Sequence, residues 1–193
     1  MTAPAALAAA RRAVAAGPPG PARDRILAFL DTHPDALDRA CRPGHLTASA
    51  AVLDPAGTAV VLVAHRKLGR WLQPGGHADG DGDLAAVALA EVAEETGLAG
   101  AVVGPGPVDL DVHEVPDDDG RGTHLHLDVR WLVIVPEGAE PRPSERETEG
   151  AAWFPVAGLP PGADPSVARL VAAGLARLRG QTSPGVSQSG RSL

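Results

Sequence analysis

The stretch from Gly75 to Leu98 reads GGHADGDGDLAAVALAEVAEETGL, a glycine turn and an acidic loop leading into a helix with three carboxylates near its far end. Glu91, Glu94 and Glu95 are spaced i, i+3, i+4, so they share a helix face at a cost of about 0.2–0.5 kcal/mol per like-charged pair. Gly97 stands where a left-handed residue ends a helix, which puts Glu94 and Glu95 in the last turn, where the helix dipole disfavours anions. A compensating cation is expected. Opposite the acids, Ala85, Leu89, Val92 and Thr96 form a stripe that can pack on a sheet. Hard oxygen donors on such a support suit Mg²⁺ or Mn²⁺, although the helix alone also fits a solvated acidic face.

These residues resemble the signature box of the Nudix hydrolase superfamily, G-x5-E-x7-R-E-U-x-E-E-x-G-U with U aliphatic. Gly76 matches the opening glycine, and Glu91, Glu94, Glu95, Gly97 and Leu98 match the end of the box in register. Two positions depart: Gly82 stands where the pattern has its first glutamate and Ala90 where it has its arginine. In the family those two residues brace loop and helix through an ion pair. Losing both leaves no orphaned charge, and Asp81 or Asp83 is available to cap the helix instead.

The chain has 193 residues, 44% of them hydrophobic, enough for one domain with appendages. No run approaches the roughly 18 apolar residues of a membrane span, and the N-terminus lacks a basic leader followed by an apolar core. Cys41 is the single cysteine, which is compatible with a reducing cytoplasm. A formal charge of −7 argues against a nucleic-acid polymer as partner but leaves room for a small phosphorylated ligand at a metal-filled pocket. A homodimer is compatible with all of this.

Residues 1–16 are alanine-rich and helix-prone, and the Gly17-Pro18-Pro19-Gly20-Pro21 run predicts a loosely attached first helix. A second helix is expected from Pro21 to Leu30, ended by Thr32-His33-Pro34, and a short one around Asp35 to Cys41. His33 and His45 have no second ligand nearby in sequence, so structural or surface roles are expected for both. Leu46 to Leu53 and Ala59 to Ala64 read as a hairpin around Asp54-Pro55-Ala56-Gly57. Ala101 to Val103, Val108 to Val115 and Ala151 to Phe154 read as further strands, and Asp117-Asp118-Asp119-Gly120 as a solvent-facing loop.

In Thr123 to Trp131, alternation puts His124, His126 and Asp128 on one strand face and Leu125, Leu127, Val129 and Trp131 in the core. A His-x-His-x-Asp row could hold a transition metal. Pocket lining is the favoured reading, because imidazoles select softer metals than a carboxylate helix does. Asp164 can cap a last helix with Pro165 at its first position, and the tail from Gly180 is expected to be disordered.

The resemblance implies a Nudix α/β/α sandwich with a mixed sheet over residues 44–180, an N-terminal helical extension over 1–43 and a tail over 181–193. It further implies Mg²⁺- or Mn²⁺-dependent hydrolysis of a diphosphate linkage in a nucleoside diphosphate derivative or similar small metabolite. Glu91, Glu94 and Glu95 would ligate the metal with the Gly76 carbonyl, and one glutamate would share the base role. Arg66, Lys67, Arg70, His77, His124 and His126 would face substrate. Glu145 and Glu147, in an acidic loop before an aromatic strand, would supply a further carboxylate. A binding module that has lost turnover is the alternative, and a diphosphate isomerase a second one, disfavoured because Cys41 lies well before the box.

Overall fold

The fold is built on one long parallel pairing. In the computed structural model, which describes residues 4–66, 68–102, 104–117, 122–143 and 148–182, strand β1 (Gly44–Leu53) is buried along its whole length. It runs parallel to β7 (Thr123–Ile134), in register from Gly44 beside Leu125 to Leu53 beside Ile134. The other edge of β1 is shared. Thr47 to Ser49 pair with β4 (Gly75–His77), and Val52 and Leu53 pair with β2 (Ala59–His65), both antiparallel. On β2 lie β3 (Arg70–Leu72) and β8 (Thr148–Pro155), and on β7 lie β5 (Ala101–Val102) and β6 (Asp109–Pro116).

Period-two alternation gives this mixed sheet two apolar faces. Leu46, Ala48, Leu127 and Val129 pack beneath helices α1 (Pro4–Ala15), α2 (Pro21–Thr32) and α3 (Leu84–Thr96). Ala51, Leu53, Leu62 and Leu132 pack against Val167, Leu170 and Val171 of α4 (Pro165–Thr182). The result is the α/β/α sandwich that the sequence resemblance implies. Among the described residues no helix is long and apolar enough to cross a membrane.

Three expectations are corrected. Residues 35–41 form a run of turns rather than a helix. The Ala36 carbonyl accepts from Leu46 N–H and the Leu37 carbonyl from Gly80 N–H, so these acceptors serve β1 and the box loop instead of a helical ladder. The first helix is not loosely attached, since Ala10 and Val14 are fully buried in the core that it shares with β1 and β7. Finally, α3 buries Leu84, Val87, Ala88, Val92, Glu95 and Thr96, leaving Ala85 and Leu89 only partly covered, so the helix is rolled to carry one acid inward. The tail expected to be disordered from Gly180 begins later, since α4 runs on to Thr182, and its residues 183–193, with Val103 and the Asp118 to Gly120 segment, lie outside the described residues.

Candidate active site

Both ends of α3 are fixed by local chemistry. Asp83 is the N-cap and accepts from Ala86 N–H at 3.1 Å, while Asp81 accepts from Asp83 N–H at 2.8 Å, so both loop aspartates brace the helix start. Gly97 closes the helix in the left-handed region at φ 68°, where a Cβ would strain the backbone. The helix therefore arrives at β4 in one register.

That register divides the three carboxylates. Glu95 is buried, and its Oε2 accepts from Gly75 N–H at 3.0 Å. Glu91 is partly buried directly beneath Gly76, where a Cβ would stand 2.2 Å from Glu91 Oε1. Glu94 is exposed. The acids thus do not share one solvated face. One partner of Glu95 is a backbone amide, where a cation was expected, and the last turn of α3 carries no basic residue. Gly75 is equally constrained, because a Cβ there would lie 2.3 Å from Ser49 Cβ. Gly76 lets α3 approach β4 and Gly75 lets β4 approach β1, so that two carboxylates meet the β4 backbone.

The departing box position also has a physical cause. A Cβ on Gly82 would stand 2.0 Å from the Ala6 carbonyl oxygen of α1, so backbone of the N-terminal helix occupies the space a side chain would need. Ala90, the other departure, is exposed.

Of the basic residues before β4, Arg66 is exposed, and Arg70 pairs with Asp164 at 3.3 Å across the start of α4. Asp164 also accepts from Ser166 N–H at 2.9 Å, which fulfils its expected capping role. Lys67, Glu145 and Glu147 lie outside the described residues.

On the sheet face opposite α3, the expected row of His124, His126 and Asp128 is present, but its members do different things. His124 Nδ1 lies 2.7 Å from an Asp117 oxygen. Asp128 is buried, accepting from Thr47 at 3.1 Å, Ser49 at 2.8 Å and Arg130 Nε at 2.7 Å. It therefore belongs to an ionic core. Arg130, only 1% exposed, also donates to Asp109 at 3.3 Å and Asp111 at 3.0 Å, and Arg169 of α4 clamps the same two aspartates from outside. Burial alone would raise the Asp111 carboxyl. The hydrogen bond from His113 and the fields of Arg130 and Arg169 outweigh that and hold it well below the usual carboxylate range. Sequence reasoning missed Arg130, although the alternation that places Asp128 on this face places Arg130 there too.

His126 meets four other histidines. His45, expected to stand alone, is 5.0 Å from His126 and 4.9 Å from His77 between ring centroids, and His113 and His124 complete the group. Register explains this: His45 lies beside His126 on β7, which lies beside His113 on β6, and His77 lies one diagonal step away on β4. Burial, then repulsion from His77 and His124, lowers His45 to about 4, the nearby Cys41 carbonyl opposing only weakly. Burial, then repulsion from His45, His77, His113 and His124, lowers His126 to about 3. Both imidazoles are neutral at pH 7.

A family model for the NUDIX domain matches residues 43–173. No curated protein matches the chain. Among solved structures, the chain is similar to a NUDIX-family hydrolase from Clostridium perfringens, with 18% identity, TM-score 0.55, 71% of this chain and 97% of that one covered. It is similar to a C. elegans Ap4A hydrolase, with 18% identity, TM-score 0.56 and coverage of 70% and 98%. It is also similar to the E. coli dihydroneopterin triphosphate pyrophosphohydrolase, with 13% identity, TM-score 0.55 and coverage of 67% and 92%. At such identities the structures speak for the fold, and the match along residues 43–173 speaks for descent. The chain belongs to the NUDIX domain family.

Proposed function

We propose that the chain is a divalent-metal-dependent pyrophosphohydrolase that cleaves the diphosphate linkage of a nucleoside diphosphate derivative or a similar small phosphorylated metabolite. The observation that carries this reading is the convergence of Glu91 and Glu95 on the Gly75–Gly76 backbone, where neither glycine has room for a Cβ. The donor set fits Mg²⁺ or Mn²⁺: carboxylates from Glu91, Glu94 and Glu95, with the Gly76 carbonyl as a neutral oxygen. When bound, the ion supplies charge neutralisation at the phosphate oxygens and lowers the pKa of its water.

The protein's own part is placement. Glu95, held by the Gly75 amide, keeps its donor oxygens in one orientation, and Glu94 faces solvent, from which substrate arrives. A box carboxylate accepts the proton as water adds to phosphorus and the bridging oxygen leaves on the second phosphate. Arg66 and Arg70 precede β4 and offer cationic donors to the phosphates.

Product release from nucleoside triphosphates, nucleotide sugars, ADP-ribose and dinucleoside polyphosphates, with Mg²⁺ and with chelator, tests the proposal. Mg²⁺-dependent cleavage of at least one class between phosphorus atoms is expected. Tight binding without turnover across the whole panel would contradict it and make the chain a binding module.

A further inference from the structure

The histidine group carries more than pocket lining requires. His45, His77 and His126 each present a ring nitrogen, and these atoms lie within 4.8 Å of one another. His45 is 3% exposed, and neither of its ring nitrogens makes a hydrogen bond of good geometry, the Cys41 carbonyl being near enough only to oppose the fall in its pKa. A buried imidazole without such a bond on either nitrogen is uncommon in a folded protein and points to a ligand that the protein atoms do not supply. We propose that His45, His77 and His126 form a second metal centre, separate from the carboxylate site, that takes a transition-metal ion of the Zn²⁺ type.

Three features support this centre over an aromatic cluster. The first is ligand chemistry: a neutral nitrogen set suits zinc, cobalt, nickel or copper, while the carboxylates of α3 suit magnesium or manganese. The second is geometry. A tetrahedral ion with Zn–N bonds of about 2.05 Å asks for nitrogens about 3.3 Å apart, so ring shifts of roughly an ångström close the triangle. His77 and His126 are only partly buried, which leaves a path and a fourth position for water or an anionic oxygen.

The third is separation. His77 follows Gly76 on β4 and pairs with Thr47, so its side chain leaves the strand on the face opposite Glu91. The flanking histidines are engaged otherwise: His113 with Asp111 at 2.9 Å and His124 with Asp117. That is why the triad is His45, His77 and His126 rather than the sequential His124, His126 and Asp128.

The test uses the full chain, stripped with chelator and returned to excess Mg²⁺, then titrated with Zn²⁺ against a chromogenic chelator. One Zn²⁺ per chain is expected, undisplaced by Mg²⁺, and Co²⁺ should give the visible absorption of a four- or five-coordinate nitrogen site. His77→Ala and His126→Gln should each weaken Zn²⁺ binding roughly a hundredfold or more, since even partners of ligands are worth 10–100-fold. Glu95→Gln should leave the zinc stoichiometry at one. Should either histidine variant fail to fold, imidazole proton NMR of the wild-type chain serves instead: Zn²⁺ should shift His45, His77 and His126 and leave His33 and His65 in place. Absence of stoichiometric Zn²⁺ binding, its displacement by Mg²⁺, or its loss in Glu95→Gln with retention in folded histidine variants would overturn the proposal.

Discussion

Arg130→Met should lower the unfolding free energy by about 3–5 kcal/mol, the usual cost of removing one partner from a buried ion pair. Arg130 is 1% exposed and its guanidinium reaches Asp109, Asp111 and Asp128 at once. Arg169 stays near Asp109 and Asp111 after the substitution, but Asp128 keeps only hydroxyl donors from Thr47 and Ser49. A methionine of similar length fills the volume, so the loss reports on stranded charge rather than on a cavity. At roughly 2–4 °C per kcal/mol for a chain of this size, the melting temperature should fall by about 10 °C. Arg130→Lys should recover part of that, because an ammonium keeps the charge and loses the fork. Urea denaturation decides it, and a loss below about 1 kcal/mol for Arg130→Met would remove this network from the account.

Gly82→Glu, which restores the glutamate of the box pattern, should damage the protein. With a Cβ 2.0 Å from the Ala6 carbonyl, either the box loop shifts or α1 leaves its seat. Overpacking of this kind costs about 1–3 kcal/mol. The N-terminal arginines report which way it relaxes. Arg11 pairs with Asp31 of α2 in the folded chain, so undocking of α1 should speed tryptic cleavage after Arg11 and Arg12. Unchanged stability and unchanged cleavage would contradict the seating of α1 on the box loop. In this structure the two departures from the pattern make physical sense together: a seated α1 excludes a glutamate at 82, and an arginine at 90 would then lack that partner.

Much of this was legible in the residues. The hairpin of β1 and β2, the box helix with its Asp83 cap and Gly97 end, and the core face of β7 follow from local rules of period, capping and turn chemistry. What was not legible depends on long-range register. His45 meets His126, 81 positions away in sequence, only because β1 and β7 run parallel, and the same pairing brings Thr47 to Asp128. The inward turn of Glu95 depends on how α1, α2 and α3 share one sheet face, which no periodicity within α3 records. The strands β3 and β4 span three residues each, too few for alternation to register.

The central claim is that α3 delivers a carboxylate metal site to β4, and calorimetric titration of Mg²⁺ into the wild-type chain, Glu94→Gln and Glu95→Gln tests it most directly. A glutamine at 95 can still accept from Gly75 N–H, and each change relieves like-charge repulsion, so both variants should fold at least as well without metal. The wild-type chain should bind Mg²⁺, and each variant should lose most of that affinity, because a neutral amide does not replace an anionic ligand of a hard cation. Unchanged Mg²⁺ affinity in both variants would contradict the account.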